Sequence, residues 1–112
     1  AASGYAAGER LAADPEVTAV FCANDEVAIG LIRAMHEHGR RVPQDVSVVG
    51  FDGLSLGEYS FPPLTTVRQD FRRAGSEMVG LVLEQVDSGV GGGARQILIP
   101  TELVVRGSTA SA

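Results

Sequence analysis

Two polar residues stand where apolar runs give out. TAVFCAND, Thr18–Asp25, ends in Asn24 and Asp25, and SVVGFDG, Ser47–Gly53, ends in Asp52 and a glycine. An asparagine side chain offers donors and an acceptor, whereas a carboxylate only accepts. Placed together, Asn24 and Asp52 suit the hydroxyls of a sugar or the N–H groups of a base. Each also has a plainer use, Asn24 as a helix cap and Asp52 in an Asx turn with Gly53. Asp25 fits capping better than ligand binding. Gln69–Asp70–Phe71 sets an amide beside an aromatic ring, a pairing that holds the face of a sugar. In the plainer alternative, Gln69 is a surface residue and Phe71 opens the core stripe of a helix.

The elements around these residues decide whether they meet. Thr18–Ala23 is a continuous apolar run and predicts a buried parallel strand. Asp25–His38 carries Val27, Leu31, Ala34 and Met35 on one helical stripe, with Ala28 and Ile32 beside it. Gly39 stops that helix and Pro43 follows. Val46–Phe51 predicts a second strand, so strand, helix and strand form a right-handed βαβ unit. Its two strands are parallel, and their carboxyl ends share one sheet edge, where open α/β sheets bind ligands. Asn24 and Asp52 therefore become neighbours although 28 residues separate them.

The remaining segments extend this α/β pattern. Ser3–Ala13 predicts a helix capped by Ser3 and stopped by Asp14–Pro15. Thr65–Arg68 predicts a third strand and Phe71–Val86 a helix, with Phe71, Ala74, Met78, Leu81 and Val82 along one side. Gly75 and Gly80 inside that helix suggest close packing on a neighbour. Ser88–Gly93 reads as a flexible break, and Ile97–Ile99 and Leu103–Val105 as short strands parted by Pro100. The loop Leu54–Phe61 carries Leu54, Leu56, Tyr59 and Phe61, which must fold onto the core or meet a partner chain.

Composition excludes several functions. The 112 residues suit one domain, and a 45% hydrophobic fraction is that of a globular protein. The net charge is −5, and the nine basic residues are all arginines scattered along the chain. That is no footprint for nucleic acid phosphates, so this segment is expected not to bind DNA by itself. Cys22 is the single cysteine and lies in an apolar run, where a buried inert thiol is expected. His36 and His38 do not share a helical face, and no Cys/His group has metal spacing. No serine has a nucleophile-elbow setting, and GVGGG lacks the residues of a phosphate loop. Neither an enzyme, a cofactor, a metal site nor a membrane span is expected.

Three blocks then fall in a familiar order: TAVFCANDEVAIGLIRAMHEHGRRVPQDVSVVGFDG, PPLTTVRQDF and LVVRGST. Their combination and spacing resemble the LacI/GalR family of bacterial transcription regulators, from Ser3 to Thr109. The resemblance implies a parallel-sheet βαβ, Rossmann-like lobe of a type I periplasmic-binding-protein-like fold, incomplete in this chain. It implies cytoplasmic regulators in which an effector, usually a sugar or nucleobase, sits between two lobes and alters operator affinity. The binding positions fall on Asn24 and Asp52, with Gln69 and Phe71 bordering the same cleft. Gly53 departs from the second acid common in the family. Homodimers use the outer face of the second lobe, here Ile29, Arg33, Leu56, Tyr59 and Ser60. Operator DNA is bound through an N-terminal helix-turn-helix that does not precede Ala1. The chain is accordingly expected to be a fragment: residues 1–68 from the second lobe, the helix 71–88 from an absent first lobe, and terminal strands over 96–109. A periplasmic sugar-binding protein shares the fold and is the alternative.

Overall fold

The computed structural model describes residues 1–89 and 95–112. They fall into two compact units, Ala1–Arg68 with Glu102–Ala112, and Gln69–Thr101. The expected Gly-rich break lies mostly outside the described residues.

The first unit holds a four-stranded sheet in the order β1 (Ala19–Phe21), β2 (Ser47–Asp52), β3 (Thr65–Arg68), β4 (Glu102–Val104). The first three strands are parallel and β4 is antiparallel to β3. Helix α1 (Ala2–Ala12) packs on helix α2 (Asp25–Glu37), and α2 lies on the sheet. In β2, Val48 and Gly50 are buried while Ser47, Val49 and Phe51 are half-buried. That alternation is the mark of a sheet with one face well covered. The core joins Ala28, Leu31, Ile32 and Met35 of α2 to Cys22, Val42, Val46, Val48 and Leu64. Full burial of side chains such as Leu31 and Met35 contributes about 1.5–3 kcal/mol each.

Three glycines set the α1–α2 spacing. A Cβ on Gly4 would overlap the Val27 carbonyl, one on Gly8 would crowd Ala34 and Leu31, and one on Gly30 would overlap the backbone at Ala1. The backbones therefore approach more closely than any side chain at these positions permits.

The C-terminal stretch enters the sheet beside the carboxyl end of β3, where Glu102 pairs with Arg68, and then runs back to the amino ends of β2 and β3. Ser108 is fully buried and bridges two strands. Its hydroxyl donates to the Val48 carbonyl at 2.6 Å and accepts from the Thr65 N–H at 2.8 Å. Arg106 donates to the Leu64 carbonyl at 3.0 Å and to Glu58 at 3.2 Å. Most buried polar groups meet partners in this way, as burial demands.

Several expectations need correction. Helix α1 begins at Ala2 with Ala1 at its N-cap position, and no side chain caps it, so Ser3 lies inside the first turn. Strand β1 is not buried: Ala19 and Phe21 are exposed, because they share the less covered sheet face with Ser47 and Val49, while Val20 packs against the core. Ile97–Ile99 forms no strand, and the only terminal strand among the described residues is Glu102–Val104. The loop after β2 contains a short 3-10 turn, Ser55–Glu58.

The second unit is built on helix α3 (Phe71–Ser88), capped by the Asp70 carboxylate, which accepts from the Arg73 N–H at 2.9 Å. No residue of α3 is buried. Among the described residues Gly75 and Gly80 have nothing within 4 Å of where a Cβ would sit.

Candidate functional site

Parallel pairing brings the carboxyl ends of β1 and β2 to one sheet edge, with Phe21 in register with Val49. Asn24 is half-buried at the N-cap of α2, and its side-chain oxygen accepts from the Val27 N–H at 2.9 Å. The capping use is therefore real, and it also orients the amide. A cap of this kind contributes about 1 kcal/mol.

Asp52 closes β2 with φ 118°, and Gly53 follows with φ 78°. Asp52 is the one non-glycine with positive φ among the described residues. Such a backbone costs on the order of 1–3 kcal/mol and persists only where its surroundings enforce it. Gly53 explains the departure from a second acid. A Cβ there would lie 2.7–2.8 Å from Arg68, the residue paired with Asp52 across the sheet. An acid at position 53 would meet both a collision and an unfavourable φ.

Asp25 differs from its expected capping role. It is fully buried. One carboxylate oxygen accepts from the Thr66 hydroxyl at 2.6 Å and the other from the Leu54 N–H at 2.7 Å. It ties the start of α2 to β3 and to the turn that follows Asp52. Neither Asp25 nor Thr66 was expected at the site. The available signals were an acid directly after the Asn24 cap and two threonines opening the short strand Thr65–Arg68.

Gln69 and Phe71 belong to the second unit. Gln69 is half-buried and follows β3 in sequence, and Phe71 is the first residue of α3 and 52% exposed. Phe71 is thus no core residue in this chain.

Of the expected dimer residues, Arg33, Leu56 and Tyr59 are exposed and Ile29 and Ser60 are half-buried. Ile29 is half-buried between two shallow grooves. One, of about 480 Å³, lies against Ala1, Ala2, Tyr5, Gly30 and Arg33. The other, of about 370 Å³, lies against Ile32, Arg33, His36, Glu37, Ser60 and Phe61. Leu56 is 57% exposed and Tyr59 82% exposed. The Ser60 hydroxyl lies 2.9 Å from the carbonyls of both Gly57 and Pro62, which share its single hydrogen, and so shapes its own loop. Arg33 meets Glu37 at 2.8 Å, and Tyr5 also donates to Glu37. These bonds, from Tyr5 first and Arg33 second, hold the Glu37 carboxyl below its ordinary range.

Among the described residues no group of three or more His, Cys, Asp or Glu is placed to hold a metal ion. Cys22 is buried in the core, and desolvation pushes its thiol up to about 11. No helix among the described residues is long and apolar enough to cross a membrane.

A family model for the periplasmic binding protein-like domain matches residues 1–109. The chain belongs to that family. Within it, the relatives are LacI-type transcriptional regulators, and the chain covers part of their effector-binding domain. The HTH-type transcriptional repressor PurR of Vibrio cholerae is 46% identical over 81 residues, 72% of this chain and 24% of the repressor. The chain thus spans about a quarter of that relative's length. The transcriptional regulator CelR in complex with cellobiose superposes with a TM-score of 0.88 and 37% identity, covering 96% of this chain and 33% of CelR. The lac repressor dimer bound to operator and the anti-inducer ONPF gives 0.84 with 38% identity, over 96% of this chain and 37% of the repressor chain. The LacI-type fold accounts for the mostly parallel sheet.

Proposed function

We propose that the chain is the effector-sensing and dimerising part of a LacI-type regulator whose effector is a sugar or a related small molecule. The observation that carries this reading is Asp52. An acid held in a costly backbone conformation at the carboxyl end of a central parallel strand, on the edge shared with Asn24, serves a ligand better than a turn. The cellobiose held by CelR supports a sugar. Asn24 supplies a donor, Asp52 accepts from hydroxyls, and Gln69 and Phe71 border the cleft.

Residues 1–68 form most of the second lobe in this reading, the Phe71–Ser88 helix belongs to the first lobe of the complete domain, and 96–109 supplies the terminal strands. The regulator acts in the cytoplasm and binds operator DNA through a domain outside this chain. It works by population shift: an effector that prefers one lobe arrangement biases the geometry of DNA binding. No bond is made or broken. Ile29, Arg33, Leu56, Tyr59 and Ser60 meet a second copy. The two shallow grooves beside Ile29 and the exposed Leu56 and Tyr59 support that surface.

In the complete regulator, Asp52→Ala is expected to abolish the effector response and leave operator binding intact. Titration calorimetry against cellobiose, ribose and lactose checks this, and unchanged affinity in the variant would refute the role of Asp52. Tyr59→Asp is expected to shift the protein toward monomer in sedimentation. A wild type that is monomeric throughout would remove the dimer.

A further inference from the structure

We propose that Asp25 is a positioning residue for Asp52, a latch that holds the turn after β2 in its ligand-ready shape. The inference rests on the effector role given to Asp52 and adds the group that keeps it in place. Asp25 is fully buried, and each of its carboxylate oxygens has a donor. A buried acid is expensive. An apolar residue would join α2 to the sheet at lower cost, so the carboxylate is retained for what it reaches.

It reaches two elements at once. The Thr66 hydroxyl anchors it to β3 at 2.6 Å, and the Leu54 N–H, two residues beyond Asp52, donates to it at 2.7 Å. Gly50 is needed for this approach, because a Cβ there would overlap the carboxylate. The turn Asp52–Gly53–Leu54 carries two consecutive positive φ values, 118° and 78°. Nothing in the conformational preference of an aspartate keeps φ there. The bond to Leu54 fixes the far end of that turn, and the pairing of Asp52 with Arg68 fixes the near end. Asp25 also follows Asn24 directly, and Asn24 is set by its bond to Val27. The Asn24–Asp25 pair therefore fixes the position of one proposed ligand group relative to the other.

The decisive experiment combines hydrogen exchange with calorimetry in the complete regulator. In Asp25→Ala the amides of Asp52, Gly53 and Leu54 are expected to exchange at least about tenfold faster, with the Val48 amide unchanged. Affinity for whichever of cellobiose, ribose and lactose the wild type binds is expected to fall at least about tenfold. Asp25→Asn is the rescue. Its side-chain oxygen accepts from Leu54 and its NH2 donates to the Thr66 hydroxyl, so exchange and affinity are expected within about threefold of wild type. Thr66→Val removes one anchor without emptying the site, and shows a smaller change at the same amides if Asp25→Ala fails to fold.

Unchanged exchange at Leu54 in both Asp25→Ala and Thr66→Val overturns the latch. Faster exchange with unchanged sugar affinity overturns the positioning role and leaves a structural tie. If the wild type binds none of the three sugars, the sugar reading fails by itself. The exchange rates of the 52–54 turn then decide the latch alone.

Discussion

Helices α2 and α3 are both amphipathic, and they meet different fates. Helix α2 has thirteen residues, and Asp25, Ala28, Gly30, Leu31, Ile32, Ala34 and Met35 are buried. Helix α3 has eighteen and buries none. Met78, Val79, Val82 and Leu83 stay between 58% and 61% exposed, and Val86 reaches 72%. A stripe of apolar residues at helical spacing specifies that a face wants covering. It does not specify what covers it. In α2 the cover comes from residues within the same unit: α1 on one side and β2 on another.

The largest expected difference between the two helices is in core deletion. Leu31→Ala should cost about 2–5 kcal/mol, because the site is close-packed and leaves a cavity. Leu83→Ala should stay within about 0.5 kcal/mol, as for exposed positions generally. Urea unfolding of the chain monitored by circular dichroism measures both, and equal losses would break the contrast.

Glycines should separate the regions next. Gly4→Ala forces a methyl group onto the Val27 carbonyl of α2, and is expected to cost about 1–3 kcal/mol. Gly80→Ala in α3 meets open space, and should stabilise by up to about 1 kcal/mol through helix propensity. Opposite signs in thermal melts would sharpen the comparison, and matching signs would undo it.

The last effect is confined to alkaline pH and concerns Cys22, whose thiol is pushed up to about 11 by burial from an ordinary value of 9.0. Below about pH 9 both folded and unfolded chains keep the proton, so Cys22 adds no pH dependence. Between about pH 9 and 11 the unfolded chain ionises first and stability falls as pH rises. Cys22→Ala should flatten that interval in unfolding curves recorded at stepped pH, and an unchanged slope would remove the thiol from the account.

Much of the first unit was legible in the chain. The apolar runs before Asn24 and through Phe51 are strands, and Thr65–Arg68 matches its expected bounds. The α2 stripe is the core. Local signals sufficed because hydrophobic periodicity and helix stops act over a few residues. Misreadings came where distant chain decides. β1 reads as buried but sets Ala19 and Phe21 on the less covered sheet face, and Ile97–Ile99 reads as a strand but finds no ladder. Ser3 has the right residue type for a cap, but the helix begins one residue earlier.

By itself, then, the amino-acid sequence determined the α/β class, the βαβ unit and the placing of Asn24 and Asp52 at strand ends, since parallel strands joined by a helix admit one arrangement. Only the tertiary structure decided what Asp25 does. Its partners, Thr66 and the Leu54 N–H, lie 41 and 29 residues away. A buried carboxylate takes its role from the donors that folding brings to it, and no local pattern names them.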